Sequence, residues 1–387
     1  MEPEYLPPAQ GSDVLHESEP GPIAIDPAQP PAFAPPAEKH HLHWIFIGED
    51  GLRAGWSVLI FVLLAFVMMA AAGAAASFVL KNVFHHSLAG NMTVWTGLVT
   101  GSVEFVGFLF AGSIVSLIEH RRIRDFNLTG PRPLMLFASG LLAGFAALSA
   151  LVGAMAWGGW LHFDPAALSG AQIFSFAALW AMVFLLVGLC EEGSFRCYLQ
   201  YTLTRGLNFW WALGIIGVIC VDLLIRAKGN GVWGVYGFAL LGLPPCLFLF
   251  LKQAQRSSFW YAAWVSSTLF GFIHTGNNGE NWIGIFAAAL IGFVFCVSIR
   301  VTGSAWWAIG CHAAWDWAET YFYGTADSGL VASGHFLSTR VTGNPLWSGG
   351  TDGPEGSLLV LPVILLLLIL TVAVYGRRSA RSLEQAA

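Results

Sequence analysis

The stretch ALWAMVFLLVGLCEEGSFRCYLQ, residues 178–200, places two adjacent glutamates and one arginine directly after an apolar run. Such a run is typical of a helix that spans a membrane. A charged side chain near the bilayer centre costs about 3 to more than 10 kcal/mol, so ionisable residues within a span are candidates for function. Glu191, Glu192 and Arg196 are therefore the first candidate site residues.

The composition of the whole chain is that of a polytopic membrane protein. Of its 387 residues, 56% are hydrophobic and 11% are charged, and the mean hydropathy is +0.65. Soluble domains carry roughly 25% charged residues. We predict an all-α fold, a polytopic transmembrane helical bundle of about 8–10 spans. The net charge of −5 does not indicate a partner, and we expect neither a nucleic-acid partner nor a cofactor.

The hydropathy pattern after Trp44 contains about ten helical segments of near-spanning length. They lie near residues 54–80, 97–118, 134–157, 173–200, 208–226, 232–251, 259–275, 282–299, 304–322 and 357–376. Basic residues follow every second segment, at 120–124, 205, 252–256, 300 and 376–381. Because cytoplasmic loops are enriched in Lys and Arg, this pattern predicts that both termini are cytoplasmic. Arg226 and Lys228 are exceptions to it.

The chain divides into regions of different composition. Residues 1–43 are rich in proline and poor in bulky apolar residues, which predicts a disordered tail. A transmembrane helical domain is expected over 44–323, followed by an extramembrane loop over 324–356 that is too polar to span. A final transmembrane helix over 357–376 and a basic tail over 377–387 complete the chain.

Polar residues within the apolar segments form three groups with helical spacing. Glu192 and Arg196 are four residues apart and can pair on one face, which leaves Glu191 free. Phe270 and His274 are four residues apart in LFGFIHTG. In the third group, CHAAWDWAETY, three residues share one face at i, i+4 and i+7: His312, Asp316 and Glu319. Two histidines and several carboxylates on three helices are groups that can activate water.

Each group also has a structural interpretation. A Glu–Arg pair in a membrane helix can join two helices, and His274 can be an interfacial histidine. His312 and Asp316 can form a hydrogen bond within the core. The coincidence of all three groups in one chain favours a functional site over these separate explanations.

The three groups resemble the motifs of the CPBP family, which comprises CAAX proteases and bacteriocin-processing enzymes and is also called Abi. EEGSFR resembles the family's EExxxR motif, FGFIH its FxxxH motif, and HAAWD its third motif, a His followed four residues later by Asn or Asp. LRAGW, at 52–56, resembles the start of many bacterial members. The resemblance is close over about 173–322, which would be the peptidase core.

The resemblance implies an intramembrane glutamic endopeptidase. By motif, the catalytic residues would be Glu191 as the general base, His274 holding the water, and His312 with Asp316 stabilising the oxyanion. Arg196 would keep Glu192 ionised and in place, and Phe270 would support His274. A carboxylate in apolar surroundings is a stronger base than one in water. The substrate would be a membrane-embedded or membrane-proximal protein or peptide, and the lipid bilayer its surroundings.

This chain departs from the family pattern in three respects. Residues 197–269 between the first two motifs are more numerous than usual, which indicates an inserted helical hairpin near 208–251. Asp316 stands where the family more often has Asn, and an ionised Asp would repel an oxyanion, so it must be protonated or act otherwise. Hydropathy also places Glu191 and His274 toward opposite ends of their helices, so a shared site requires shifted or tilted helices.

Three other functions are compatible with the same residues. Glu191, His274, His312 and Asp316 are all ordinary ligands of Zn²⁺, so a metal-dependent membrane protease is one alternative. A proton-coupled transporter is another, although the inverted repeats typical of that class are not visible. The third is a non-catalytic, immunity-type membrane protein. The leading prediction is a multi-pass peptidase of the bacterial inner membrane.

Overall fold

The computed structural model describes residues 43–48, 51–82, 92–226, 231–277 and 279–376. The chain divides into two units, Met1–Trp44 and Ile45–Ala387. Of the first unit only His43 and Trp44 are described, so the predicted tail over 1–43 and the basic tail over 377–387 lie almost wholly outside the described residues.

The second unit is a helical bundle, and the predicted all-α polytopic fold is confirmed. Its long helices coincide with the predicted segments. The helices are α1 (His43–Phe46), α2 (Ala54–Asn82), α3 (Val94–Ile118), α4 (Pro133–Trp157), α5 (Ala171–Glu192), α6 (Gln200–Thr204), α7 (Phe209–Arg226), α8 (Val232–Leu251), α9 (Ser257–His274), α10 (Trp282–Thr302), α11 (Trp306–Asp316), α12 (Pro345–Ser348) and α13 (Val360–Thr371).

Three stretches of π-helix continue α-helices without a break. Gly193–Leu199 joins α5 to α6, Trp317–Tyr323 follows α11, and Val372–Gly376 follows α13. Short 3-10 turns lie at Ile123–Asp125 and Pro354–Gly356. π-Helical turns often occur at functional sites, and the first two of these begin directly after Glu192 and Asp316.

Seven helices in the described part of the chain are long and apolar enough to cross a membrane: α2, α3, α4, α5 continued through α6, α7, α8 and α10. α13 with its π-helical end is a shorter apolar helix, Val360–Gly376. α9 and α11 are not among the seven, and these two helices carry the polar residues of the second and third motifs.

Strands occur in the described residues as two small antiparallel pairs. β1 (Ile47–Gly48) pairs with β2 (Gly51–Leu52), and β3 (Leu161–Asp164) pairs with β4 (Ser338–Val341). In the second pair, Leu161 lies opposite Val341 and Asp164 opposite Ser338. This pairing attaches the segment 324–356 to the end of α4.

Close contact between α4 and α11 sets the position of the third motif. Gly140 and Gly144, four residues apart on α4, lie against the backbone of Trp307 and Cys311 on α11. A Cβ at either glycine would collide with a backbone carbonyl of α11. Small residues at this spacing allow membrane helices to approach closely. His312 therefore directly follows a residue that is fixed against α4.

Helices α7 and α8 occupy the region of the predicted hairpin. Both pack against α9, and α8 also packs against α10. Tyr236 donates a hydrogen bond from its hydroxyl to the carbonyl of Cys220 at 2.7 Å, which joins the two helices. The Trp264 indole N–H donates to the Ala239 carbonyl at 3.1 Å and joins α8 to α9. The pair thus supports the helix that carries His274.

Candidate active site

A cavity of ≈ 390 Å³ contains the predicted site residues. Its walls come from α5, α9, α10, α11, α13 and the segment 324–356. Glu191, Phe270, His274, His312 and Asp316 all line it. The structure thus brings residues from all three motifs to one space.

Glu191 and His274 share the cavity, although the hydropathy pattern placed them toward opposite ends of their helices. The continuous helical stretch runs over Ala171–Thr204, through the π-helical turn, so Glu191 lies well inside it rather than toward its end. His274 is the last residue of α9. The side chain of Glu191 is 31% exposed, in contrast to its neighbour Glu192.

Glu192 and Arg196 form the predicted ion pair. Glu192 Oε2 lies 3.1 Å from Arg196 Nε, and both side chains are fully buried. The two atoms are close enough for an ion pair but lack hydrogen-bond alignment, and the terminal nitrogens of Arg196 have no hydrogen-bond partner among the described residues. Buried charges are stable only when they are paired.

Aromatic rings surround the Arg196 guanidinium. Its central carbon lies 4.1 Å from the ring centroid of Phe270, 5.4 Å from that of Phe295 and 5.7 Å from that of Phe195. Cation–π contacts become stronger when the cation is removed from water. Gly292 makes room for this arrangement, because a Cβ there would meet Arg196 and Phe270. Phe270 therefore contacts both Arg196 and, at 4.7 Å between ring centroids, His274.

Glu192 also holds His312, a contact that sequence reasoning did not predict. His312 Nδ1 lies 2.8 Å from Glu192 Oε1. Because a carboxylate accepts, Nδ1 carries the hydrogen and Nε2 is left to face the cavity. The His312 ring also stacks on Phe295, with centroids 5.9 Å apart and planes at 23°. The second glutamate of the first motif thus joins Arg196 to the histidine of the third motif.

His312 Nε2 lies close to two other carboxylates. It is 3.4 Å from Asp316 Oδ2 and 3.8 Å from Glu191 Oε2. The one-turn spacing of His312 and Asp316 therefore corresponds to a direct contact. Glu191 is not free of partners as the helical spacing suggested, because it too lies beside His312.

His274 has a defined tautomer. Its Nδ1 lies 2.7 Å from the carbonyl oxygen of Phe270. A carbonyl only accepts, so Nδ1 donates, and in the neutral ring Nε2 carries the lone pair. Nε2 can therefore accept a hydrogen bond within the cavity.

Glu319 does not join His312 and Asp316, although all three were predicted to share a face. The helix changes to π geometry at Trp317, which shifts the later residues around the axis. Glu319 Oε2 instead accepts from Trp315 Nε1 at 3.1 Å, and the same N–H donates to Glu355 Oε1 at 2.8 Å. Glu319 is fully buried.

The segment 324–356 contributes residues that sequence reasoning missed. Asp327, Ser328, Leu330 and Glu355 line the cavity. The segment folds back on the bundle, because Phe336 N–H donates to the Tyr321 carbonyl at 2.7 Å. The acidic residues of this polar loop were the only feature of the sequence that could have indicated its contribution to the cavity.

Burial changes the acidity of the carboxyl groups in these connecting segments. Burial raises the pKa of Asp327 to about 6, although the Thr320 hydroxyl opposes the shift. Burial raises the pKa of Asp352 to about 8, against the opposing hydrogen bond from the Asn281 backbone. Burial likewise raises the pKa of Glu355 well above its usual value and also that of Glu280. Of these groups, Asp327 and Glu355 line the cavity, so this wall holds two carboxyl groups with a raised pKa.

The four residues considered as zinc ligands are not gathered around one point. In the described part of the chain, the group of His, Cys, Asp and Glu ligand atoms within 4.8 Å of one another is Glu319, Asp327 and Glu355. Glu191, His274, His312 and Asp316 line the same cavity but do not form such a group.

The sequence was also compared with family models. The model of the type II CAAX prenyl endopeptidase Rce1-like family matches residues 246–318. The matched region contains Phe270, His274, His312 and Asp316 and ends short of the segment 324–356; Glu191 and Glu192 precede it.

Over residues 246–318, the chain is similar to the CAAX protease family. With this match and the seven long apolar helices of its described part, the chain is a multi-pass integral membrane protein. Comparison with curated proteins gave no match, and comparison with solved structures gave none. The second and third motifs lie inside the matched region, and the structure brings the first motif to the same cavity.

Proposed function

We propose that this chain is a member of the CAAX protease family and an intramembrane endopeptidase that hydrolyses a peptide bond with a water molecule activated by Glu191. The observation that carries the proposal is the shared cavity. Glu191, His274 and His312 line it, and buried Glu192 fixes Nδ1 of His312 so that Nε2 faces Glu191 and Asp316.

The reaction begins with the water. Glu191, the partly exposed member of the adjacent glutamates Glu191 and Glu192, takes a proton from the water. The lone pair on His274 Nε2 accepts a hydrogen bond from the other hydrogen of the water. The water oxygen bonds to the scissile carbonyl carbon. The result is a tetrahedral intermediate with a negative oxygen.

His312 stabilises that oxygen. With Nδ1–H held by Glu192, a second proton on Nε2 makes the ring a donor toward the oxyanion. When the carbon–nitrogen bond breaks, the proton taken up by Glu191 passes to the leaving amine. Glu191 then returns to its ionised form, and no proton is gained or lost.

In the resting site, Asp316 does not act as an oxyanion donor. Its carboxylate lies 3.4 Å from His312 Nε2 and can hold the proton there until substrate arrives. We propose that the oxyanion takes over this contact, while Asp316 turns aside or takes up a proton. An Asn at this position would supply an N–H donor without repelling the oxyanion.

A metal-free mechanism fits the geometry better than the zinc alternative. The four residues considered as zinc ligands, all of them described, lack a common centre, whereas each has a separate contact suited to acid–base chemistry. Metal analysis of purified protein tests this choice: stoichiometric zinc that disappears on replacement of His274 would refute it.

We propose a membrane-associated protein or peptide as the substrate. The matched family is described as a CAAX prenyl endopeptidase, so a farnesylated CAAX peptide is the first defined substrate to test. Cleaved membrane-protein termini should also be compared by proteomics in cells that carry the intact chain or the Glu191→Gln variant. If both experiments show no difference between the two proteins, the transporter or scaffold interpretation replaces the peptidase.

We further propose that both termini are cytoplasmic, as the basic residues at the ends of α3, α6, α8 and α10 indicate. The segment 324–356 would then face the opposite side. Val331 is 59% exposed, so a cysteine placed there should react with an impermeant thiol reagent added outside the cytoplasmic compartment. If the cysteine reacts only after the membrane has been permeabilised, the orientation is the opposite of the one proposed.

A further inference from the structure

A second group of carboxylates lies beside the candidate active site. Glu319 comes from the π-helical turn after α11, and Asp327 and Glu355 come from the segment 324–356. One oxygen from each residue lies within 4.8 Å of those of the other two. Three carboxyl groups from two parts of the chain thus meet at one point.

Few hydrogen-bond donors serve these three groups. Trp315 Nε1 is shared between Glu319 Oε2 and Glu355 Oε1, at 3.1 and 2.8 Å. The Thr320 hydroxyl donates to Asp327 Oδ2 at 2.7 Å. Among the residues that the structure describes, no Lys or Arg forms an ion pair with any of the three.

Glu319 supplies a separate observation. Its side chain is fully buried, and Oε1 has no hydrogen-bond partner in the described part of the chain although Oε2 accepts from Trp315. An unpaired carboxylate oxygen is costly in the interior of a protein, so native structures almost always satisfy it. A cation between the three carboxyl groups would satisfy this oxygen and would balance their charge once they have released their protons.

We propose that Glu319, Asp327 and Glu355 bind one divalent cation that prefers oxygen ligands, with Ca²⁺ as the best fit. The donor set contains only carboxylate oxygens, which suit hard cations rather than zinc or copper. Ca²⁺ accepts irregular geometry and six to eight ligands, whereas Mg²⁺ needs a near-ideal octahedron. Ligands from a helix and a loop fit the less demanding ion. Water from the adjoining cavity completes its coordination.

The bound cation would fasten the segment 324–356 to the end of α11. Asp327 and Glu355 lie near opposite ends of that segment, and both also line the cavity. The cation would therefore hold one wall of the cavity in place. The site is distinct from the four residues of the proposed reaction, and its existence does not depend on the peptidase function.

Terbium luminescence provides a direct test in the full-length protein purified in detergent. Tb³⁺ occupies Ca²⁺ sites, and Trp315 lies within hydrogen-bond distance of two ligands, so excitation of tryptophan should sensitise a bound ion. We expect a saturable signal that Ca²⁺ displaces at about 10⁻⁵ to 10⁻³ M. Glu319→Gln and Glu355→Gln should each weaken binding at least about tenfold, by loss of a charged ligand.

Two controls make the result specific. Asp164→Asn changes an exposed carboxylate on β3 that pairs with Arg340, and it should leave the signal unchanged. Glu191→Gln should also keep the signal, which separates this site from a metal in the proposed reaction centre. A signal that is absent in the wild type, or unchanged in both Gln variants of the site, would overturn the proposal.

Thermal unfolding gives a second measurement that does not depend on terbium. Ca²⁺ should raise the Tm of the wild type and of Asp164→Asn, and a chelator should reverse the change. In chelator, the Gln variants should unfold at or above the wild-type temperature, because they remove repulsion, and Ca²⁺ should not shift them. If the Gln variants do not fold, the wild-type protein alone still tests the proposal. A Tm that is independent of Ca²⁺ would refute the site. A Tm that rises with Ca²⁺, together with protection of the segment 324–356 from proteolysis, would support it.

Discussion

Glu192 Oε1 accepts a hydrogen bond from His312 Nδ1 at 2.8 Å across 120 positions of sequence. The same carboxylate pairs with Arg196 through its other oxygen. One buried glutamate thus connects the first motif to the third, and it determines which nitrogen of His312 faces the cavity.

Replacement of Glu191 by Gln should reduce peptidase turnover by about 10²- to 10⁴-fold, the usual contribution of a general base. The amide keeps the shape of the side chain but cannot take up the proton. Hydrolysis of a farnesylated CAAX peptide is the measurement. Asp222→Asn is the matched control, since Asp222 is an intramembrane carboxylate that pairs with Arg226 away from the cavity. Equal activity of the two variants would remove Glu191 from the base role.

Arg196→Met should destabilise the protein by about 3 to 5 kcal/mol, because it leaves the buried carboxylate of Glu192 without a cation. The double variant Glu192→Gln/Arg196→Met should recover much of that loss, since it removes both charges. Thermal unfolding of the two single variants and the double variant gives the coupling energy. Additive effects would show that the ion pair is not the source of the loss.

Asp316→Asn should retain or increase activity, whereas Asp316→Ala should lose about 10²- to 10³-fold. The amide oxygen of Asn can still accept a hydrogen bond from His312 Nε2, and the amide N–H can donate to the oxyanion, whereas Ala can do neither. Activity and bound metal should be measured in both variants. An inactive Asn variant that has also lost a metal ion would favour the zinc-dependent alternative, because an amide is a poor substitute for a charged ligand.

Asp352→Asn should flatten the dependence of stability on pH. The folded-state pKa of Asp352 is about 8, against an ordinary value of 3.8. Folding therefore takes up a proton, and stability should fall as pH rises from about 4 toward 8. At pH 8 the variant should be more stable than the wild type by about 1 to 3 kcal/mol.

Unfolding curves between pH 5 and about 8.5, recorded in chelator, measure this effect. The chelator removes any contribution from a cation bound near Asp327. A wild-type stability that rises over this range, or parallel pH curves for the two proteins, would contradict the raised pKa.

Gly292→Ala should destabilise the protein by about 1 to 3 kcal/mol and lower activity, because the new Cβ would displace the Arg196 guanidinium and Phe270. Gly214→Ala in α7 is the control. A Cβ there meets no atom of the described residues within 4 Å, so the substitution should be neutral or stabilise the helix by up to about 1 kcal/mol. Equal effects of the two substitutions would contradict the close packing around Arg196.

The helical class, the positions of the helices and the pairs within one helix could all be predicted from the order of residues alone. Apolar runs of about 20 residues need a membrane, and in a membrane the backbone must satisfy its own hydrogen bonds, so such runs form helices. Contacts at i, i+4 follow from helix geometry alone. The spacing of Glu192 with Arg196, and of His312 with Asp316, was therefore enough to predict both pairs.

Tertiary structure decided how the three motifs meet. The bond from His312 to Glu192 depends on how α11 packs on α4 and α5, through contacts such as those at Gly140 and Gly144. The π-helical turn after Asp316 moved Glu319 away from the motif residues, against the regular helical spacing. The segment 324–356 has no helical period, so only its fold places Asp327 and Glu355 beside Glu319. Local periodicity specifies neighbours along one helix, whereas contacts between helices and loops depend on packing over the whole chain.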